Sequence, residues 1–174
     1  LDTKPDDFGP DIFTDFICDF IERKKDQPFL AYYPMVAPHG TRVGPSTNPK
    51  RGSVGVIQKS TDSEENAARF QSMNEYIDVL VGRIIQHVQD LGLLENTIII
   101  YCSDNGSGST AKSRAVERGC QIPFVAYGGP VKKRGLTAEL TDLTDILPTL
   151  VDYAGGKLPP DYRVDGTSLK PFFS

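Results

Sequence analysis

Cysteine is scarce in these 174 residues: Cys18, Cys102 and Cys120 are an odd number without metal-ligand spacing. That excludes a disulfide-dense scaffold and favours neither redox compartment. Basic charge is also short, with 19 Lys and Arg against 23 Asp and Glu and a net charge of -4, which argues against a nucleic-acid binder. A local basic pocket for an anionic substrate stays compatible with that total, because the local field governs such a site. No apolar run approaches membrane-span length, and no charged-then-apolar leader opens the chain. The opening at Leu1, followed by Pro- and Asp-rich sequence, reads as an internal piece, so the compartment is not legible from the residues. Neither a G-x-G-x-x-G run nor a P-loop spacing occurs, which removes the usual nucleotide-binding signatures. Internal repeats and low-complexity stretches are missing too.

What is there fits a globular domain with a sizeable core: 39% hydrophobic and 24% charged residues are ordinary for one. From Asp11 to Lys25, Ile12, Phe13, Phe16, Ile17, Phe20 and Ile21 recur at three and four, with Asp15, Asp19, Glu22 and Arg23 opposite. This spacing predicts an amphipathic helix. Gln27-Pro28 breaks it, and the apolar run Phe29–Tyr33 predicts a short strand buried on both faces. A stretch rich in Gly, Pro, Ser and Thr then runs to about Thr61, longer than an idle loop. A second helix is expected over Ser63–Leu91, stopped by Gly92. Thr97–Cys102 is the strongest strand signal, another strand is expected at Ile122–Tyr127, and a last helix covers Asp142–Tyr153 and closes at Gly155-Gly156. The rhythm is that of an α/β fold with a mainly parallel sheet flanked by helices.

In such sheets ligands bind beyond the carboxyl ends of the strands. After the first strand comes Ala37-Pro38-His39; after the second come Asp104 and Asn105, then glycines and Lys112. Asp104 and Asn105 offer hard oxygen ligands, suited to Ca²⁺ or Mg²⁺ rather than zinc. A lone Asp-Asn-Gly after a strand is ordinarily just an Asx turn, and two adjacent ligands leave most of a coordination shell to come from elsewhere. His39 has a side chain suited to general acid work or anion binding, set against the plain alternative of a loop histidine bonded to backbone. His87, beside Ile84 and Val88, reads as a packing or surface residue. Lys112 would hold a tetrahedral oxyanion as a point charge, although spacing alone reads as a solvated lysine. Lys132-Lys133-Arg134 reads as a solvated turn that would favour an anionic polymer. Asn105-Gly106-Ser107 matches a glycosylation acceptor, discounted because a glycan would destroy the proposed metal turn.

Taken in order, these segments resemble the sulfatase branch of the alkaline-phosphatase superfamily. The run Gln27–Tyr33 closing on Ala37-Pro38-His39 is similar to the family's strand leading to its active-site histidine. Tyr76–Gly82, Leu91-Gly92-Leu93, Asn96-Thr97 and Ser103-Asp104-Asn105-Gly106 resemble its long helix and metal-binding turn. Lys112, Glu117, Gly119 and Pro123 match its Lys…Glu-Gly-Gly…Pro segment, and Asp145 with Pro148-Thr149-Leu150, then Asp165–Leu169, match two further stretches. Two departures stand out: Gly40-Thr41 follows His39 where a proline two places on is common, and Arg118 replaces the first glycine of Glu-Gly-Gly.

The resemblance implies an alkaline-phosphatase-like fold, with residues 1–174 forming part of a single catalytic domain. It implies that Asp104 and Asn105 are two ligands of Ca²⁺ (or Mg²⁺). His39 would hydrogen-bond the sulfate or its leaving oxygen, and Lys112 would bind sulfate and assist departure of the alcohol. The family's nucleophile is a formylglycine made from Cys or Ser in a Cys/Ser-x-Pro/Ala-x-Arg motif. None of the three cysteines lies in one, so the expectation is that an N-terminal segment supplies it and that the smaller C-terminal subdomain also lies outside. The implied partner is a sulfated small molecule or carbohydrate, with no nucleic acid and no membrane span, and the implied compartment is periplasmic, secreted or lysosomal. Rival readings are a phosphate or phosphonate ester hydrolase of the same superfamily and a non-catalytic module that binds sulfated glycans. Oligomeric state is not legible.

Overall fold

The computed structural model describes residues 7–39, 63–106, 112 and 114–174. They fall into two compact units, Leu1–Leu94 and Glu95–Ser174, each built around its own contacts.

The first unit packs α1 (Gly9–Lys24) against α2 (Ser63–Asp90). Pro10 in the first turn supplies a helical φ where its missing N–H costs nothing, and Arg23 and Lys24 in the last turn oppose the helix dipole. The apolar stripe expected to be buried is not the packed face. Of those six residues only Ile21 is buried, whereas Ile12, Phe13 and Phe16 are exposed and Asp11 and Thr14 are buried in their place. The cause lies on α2. The Tyr76 hydroxyl donates to Asp11 Oδ1 at 2.7 Å and Arg83 donates to the same oxygen at 2.8 Å, while the other arm of Arg83 reaches Asp15. A carboxylate so paired is tolerated in an interface that would otherwise expel it. Burial, then the bond to Asp11, pushes the Tyr76 hydroxyl well above its usual range, so it stays a donor.

Phe8, Tyr76 and Leu80 form the core of this unit, with Met35 and Met73 against them and the Phe8 and Tyr76 rings edge to face at 5.8 Å. α2 ends as its sequence dictates. Gly92 adopts φ 69°, Leu93 N–H reaches Val88 O at 3.0 Å and Gly92 N–H reaches Gln89 O at 2.9 Å, the paired bonds of a left-handed glycine stop.

Phe29–Tyr33 does not form the doubly buried strand expected of it. Phe29, Ala31, Tyr33 and Met35 are half-buried while Leu30, Tyr32, Pro34 and Val36 are exposed, the period of two that comes from covering one face only. Phe29 meets Phe20 of α1 at 6.0 Å, and the Tyr33 hydroxyl donates to Pro10 O at 3.2 Å. Among the described residues no strand pairs with the segment.

The second unit holds the sheet: β1 (Ile99–Cys102) pairs with β2 (Phe124–Tyr127), Ile99 opposite Tyr127 and Cys102 opposite Phe124. The pairing is antiparallel, against the parallel arrangement expected. A parallel pair needs a crossover that carries the chain back along the sheet, and the one helix described between the strands, α3 (Glu117–Cys120), is a single turn. The chain instead returns to the end it left. A short 3₁₀ turn, Leu143–Asp145, leads into α4 (Ile146–Tyr153), and α5 (Lys170–Phe173) closes the unit. Pro148 sits in the first turn of α4, a position it occupies without removing a helical bond.

Two stretches far apart in sequence are knotted together here. Asp145 accepts the Thr167 N–H at 2.7 Å and, within its capping box, the Asp142 N–H at 3.1 Å. The fully buried Thr149 hydroxyl donates to Asp145 O at 2.6 Å and accepts the Leu169 N–H at 2.8 Å. Asp152 accepts from Ser168 at 2.8 Å and pairs with Lys170 at 3.1 Å.

Candidate functional site

β1 delivers its carboxyl end to Ser103, and the next three residues make the turn in which the candidate ligands stand. Asp104 is exposed, and no hydrogen bond or ion pair joins its carboxylate to another described residue. Asn105 is half-buried. Its amide nitrogen donates to Gly106 O at 2.8 Å, and the Ser103 hydroxyl donates to Asn105 O at 3.0 Å. With its nitrogen so committed, the Asn105 side-chain oxygen is left as the coordinating atom. The turn therefore carries one carboxylate and one amide oxygen on adjacent residues.

The 119–123 segment grips this turn from both ends. Gly106 N–H donates to Gly119 O at 2.9 Å, and Ser103 N–H reaches Pro123 O at 3.4 Å. A Cβ on Gly106 would lie 1.9 Å from the Arg118 carbonyl oxygen, so only glycine permits the two backbones to touch. Gly119 and Pro123 were legible in the sequence as matching positions. Their role, clamping the Asp-Asn turn, emerges only with the antiparallel pairing that brings the entry of β2 beside the exit of β1.

Lys112 is exposed, in the connection that leads into α3. His39 belongs to the first unit, where it ends a turn closed by its own N–H on Val36 O at 2.9 Å; its side chain is exposed. The structure thus brings the Asp104-Asn105 turn together with Gly119 and Pro123, while Lys112 belongs to the connection between the strands and His39 to the first unit. Among the described residues no group of three or more His, Cys, Asp and Glu side chains converges as a complete metal site.

Asp145, another ionisable group of the motifs, serves the framework. The Thr167 amide, with the Asp142 amide and the Thr141 hydroxyl, holds the Asp145 carboxyl below its ordinary range against a smaller opposing effect of burial. Cys102, inside β1, is pushed up by burial, the state of an inert thiol rather than a nucleophile. Sequence reasoning missed the Asp11–Tyr76–Arg83 cluster altogether. The only available signal was that Tyr76 and Arg83 lie seven apart, on one face of α2.

Comparison with known proteins follows the same outline. The family model described as Sulfatase matches residues 9–156. Arylsulfatase A of Homo sapiens is 28% identical over 162 residues, covering 86% of this chain and 29% of that protein. The ulvan-active sulfatase of Formosa agariphila is 31% identical, covering 96% of this chain and 33% of its own length. The chain thus spans about a third of the length of these relatives. Among solved structures, Ps i-CgsB in complex with k-i-k-neocarrahexaose superposes with a TM-score of 0.72 at 21% identity, covering 94% of this chain and 38% of that one. The fold is shared at that level.

Proposed function

The chain belongs to the sulfatase family, and from that premise we propose that the full-length protein hydrolyses sulfate esters through the turn at the end of β1. The observation that carries this reading is the hard-oxygen pair of Asp104 and Asn105, braced on both sides by Gly119 and Pro123. The donor set fits a hard divalent cation: an exposed carboxylate with no competing partner among the described residues and an amide oxygen fixed by the bonds of its own turn. Asp104 and Asn105 would hold Ca²⁺, or Mg²⁺, with the rest of the shell supplied from outside these residues. Such a cation offsets the negative charge of the sulfate group.

The chain's own residues then have separate tasks. Cleavage builds charge on the bridging oxygen, and fixed positive groups aimed there lower the barrier. Lys112 would bind the sulfate oxygens and neutralise the departing oxygen as a compact cation. His39 would hydrogen-bond the sulfate or its leaving oxygen and give it a proton. A formylglycine from a segment outside these residues would provide the nucleophile. An alkaline-phosphatase-like fold, with its larger sheet completed by that same outside sequence, is part of this reading. Sulfated saccharides are the proposed substrate class, supported by the ulvan-active relative and by the neocarrahexaose bound to Ps i-CgsB. A periplasmic, secreted or lysosomal location goes with it.

Hydrolysis of matched aryl sulfate and aryl phosphate by the full-length protein tests the reading. Sulfate turnover is expected, with His39→Ala and Lys112→Ala each lowering kcat about 10²–10⁴-fold. Preference for phosphate would move the protein to the phosphate and phosphonate hydrolases. Tight binding of sulfated saccharides without turnover would make it a binding module.

A further inference from the structure

Two basic groups flank the sheet of the second unit, and the antiparallel register separates them. Residues 117–123 sit at the end where β1 leaves and β2 enters, beside the Asp104-Asn105-Gly106 turn. Lys132-Lys133-Arg134 follows the exit of β2 at the opposite end. The second group is already occupied locally. Lys132 Nζ donates to Gly129 O at 2.5 Å, Lys133 Nζ lies 3.9 Å from the centre of the Phe172 ring, and Arg134 donates to Val131 O.

Arg118 differs on every count. Its carbonyl abuts Gly106, so its backbone is fixed against the turn that carries the candidate ligands. The side chain is exposed, and no hydrogen bond or ion pair engages its guanidinium among the described residues. It also stands in a local excess of positive charge. Along residues 112–118 the sequence holds Lys112, Arg114 and Arg118 against the single carboxylate of Glu117, with Asp104 on the neighbouring turn, so positive groups outnumber negative ones in a chain whose net charge is -4. A guanidinium carries its charge several ångströms from the backbone and presents a planar fork that matches sulfate or carboxylate oxygens two at a time.

We propose that Arg118 is a specificity residue that binds a second anionic group of the substrate, a sulfate or carboxylate neighbouring the ester that is cleaved. The preferred substrate is then a saccharide with more than one negative group. The inference rests on the sulfatase reading above and adds the residue that selects within the class. Because Arg118 would touch a group that does not react, its contribution falls on substrate binding and leaves the chemistry of the scissile ester alone.

The test is steady-state hydrolysis by the full-length protein and its R118G and R118K variants. The substrates are a monosulfated disaccharide, the same disaccharide with a second sulfate, and the same disaccharide with a carboxylate, with aryl sulfate as reference. The unsubstituted protein is expected to prefer one of the doubly anionic substrates. R118G should lower kcat/KM on it about tenfold, mostly through KM, and stay within about twofold on the monosulfated substrate and aryl sulfate. R118K should restore part of the loss, and the preference should shrink as salt is raised. The better of the two doubly anionic substrates identifies the second group as sulfate or carboxylate. Turnover without that preference, or an equal loss on all substrates in R118G, would overturn the role of Arg118 while leaving the sulfatase reading intact. Inertness toward aryl sulfate and all three saccharides would overturn the sulfatase reading and this inference with it.

Discussion

A methyl group added at Gly106 would sit 1.9 Å from the Arg118 carbonyl oxygen, so Gly106→Ala has to push two hydrogen-bonded backbones apart. Displacing the Asp104-Asn105 turn by an ångström is expected to lower kcat about 100-fold and, because every atom the methyl meets is backbone, to lower the melting temperature as well; kinetics and calorimetry on one preparation would separate the two effects. Asp11 makes the opposite case, a residue whose loss should be felt in stability alone. Asp11→Ala leaves the Tyr76 hydroxyl without its acceptor and is expected to cost about 2 kcal/mol in a urea titration, softened because Arg83 keeps some solvent. Asp145 sets a pH dependence. Its carboxyl is held below the ordinary range, so its contribution is present above the unfolded-state value, about pH 4, and fades as pH falls through the folded one. The difference in melting temperature between the unsubstituted protein and Asp145→Asn should therefore narrow between pH 5 and the acid end of the titration.

At the scale of elements, the long periodic segments were legible and their faces and directions were not. Both α1 and α2 follow from residues recurring at three and four, and the Gly92 stop follows from a glycine after the last apolar turn. The packed face of α1 did not follow, because the groups that make Asp11 acceptable inside, Tyr76 and Arg83, lie 65 and 72 residues away. Apolar strand runs carry no information on direction, so Thr97–Cys102 and Ile122–Tyr127 read equally well as parallel partners. The Asp104-Asn105 turn was visible because it follows the clearest strand, but the bonds that hold it depend on register and could not be seen. The knot between α4 and α5 yields an element-scale expectation. Thr149→Val keeps the shape but loses both bonds of a fully buried hydroxyl, leaving the Leu169 N–H unpaired, and should cost about 1–3 kcal/mol by denaturant titration.

For the molecule as a whole, the chain corresponds to about a third of the relatives it matches, and no described helix is long and apolar enough to cross a membrane. With no Cys/Ser-x-Pro/Ala-x-Arg motif in its sequence, the 174-residue chain expressed alone is expected to bind Ca²⁺ weakly and to hydrolyse no aryl sulfate; measurable turnover would refute that. The grip of Gly119 and Pro123 on the turn has a bearing on how such a protein diversifies. Both ends of the connection between the strands are fastened at one place, so a change in its length would leave the anchor points where they are. Closing a longer loop costs only about 0.6 kcal/mol for each doubling of its length. Provided Lys112 is kept for the proposed chemistry, inserted sequence between the strands would be expected to change what the protein binds while leaving the Asp104-Asn105 pair in place.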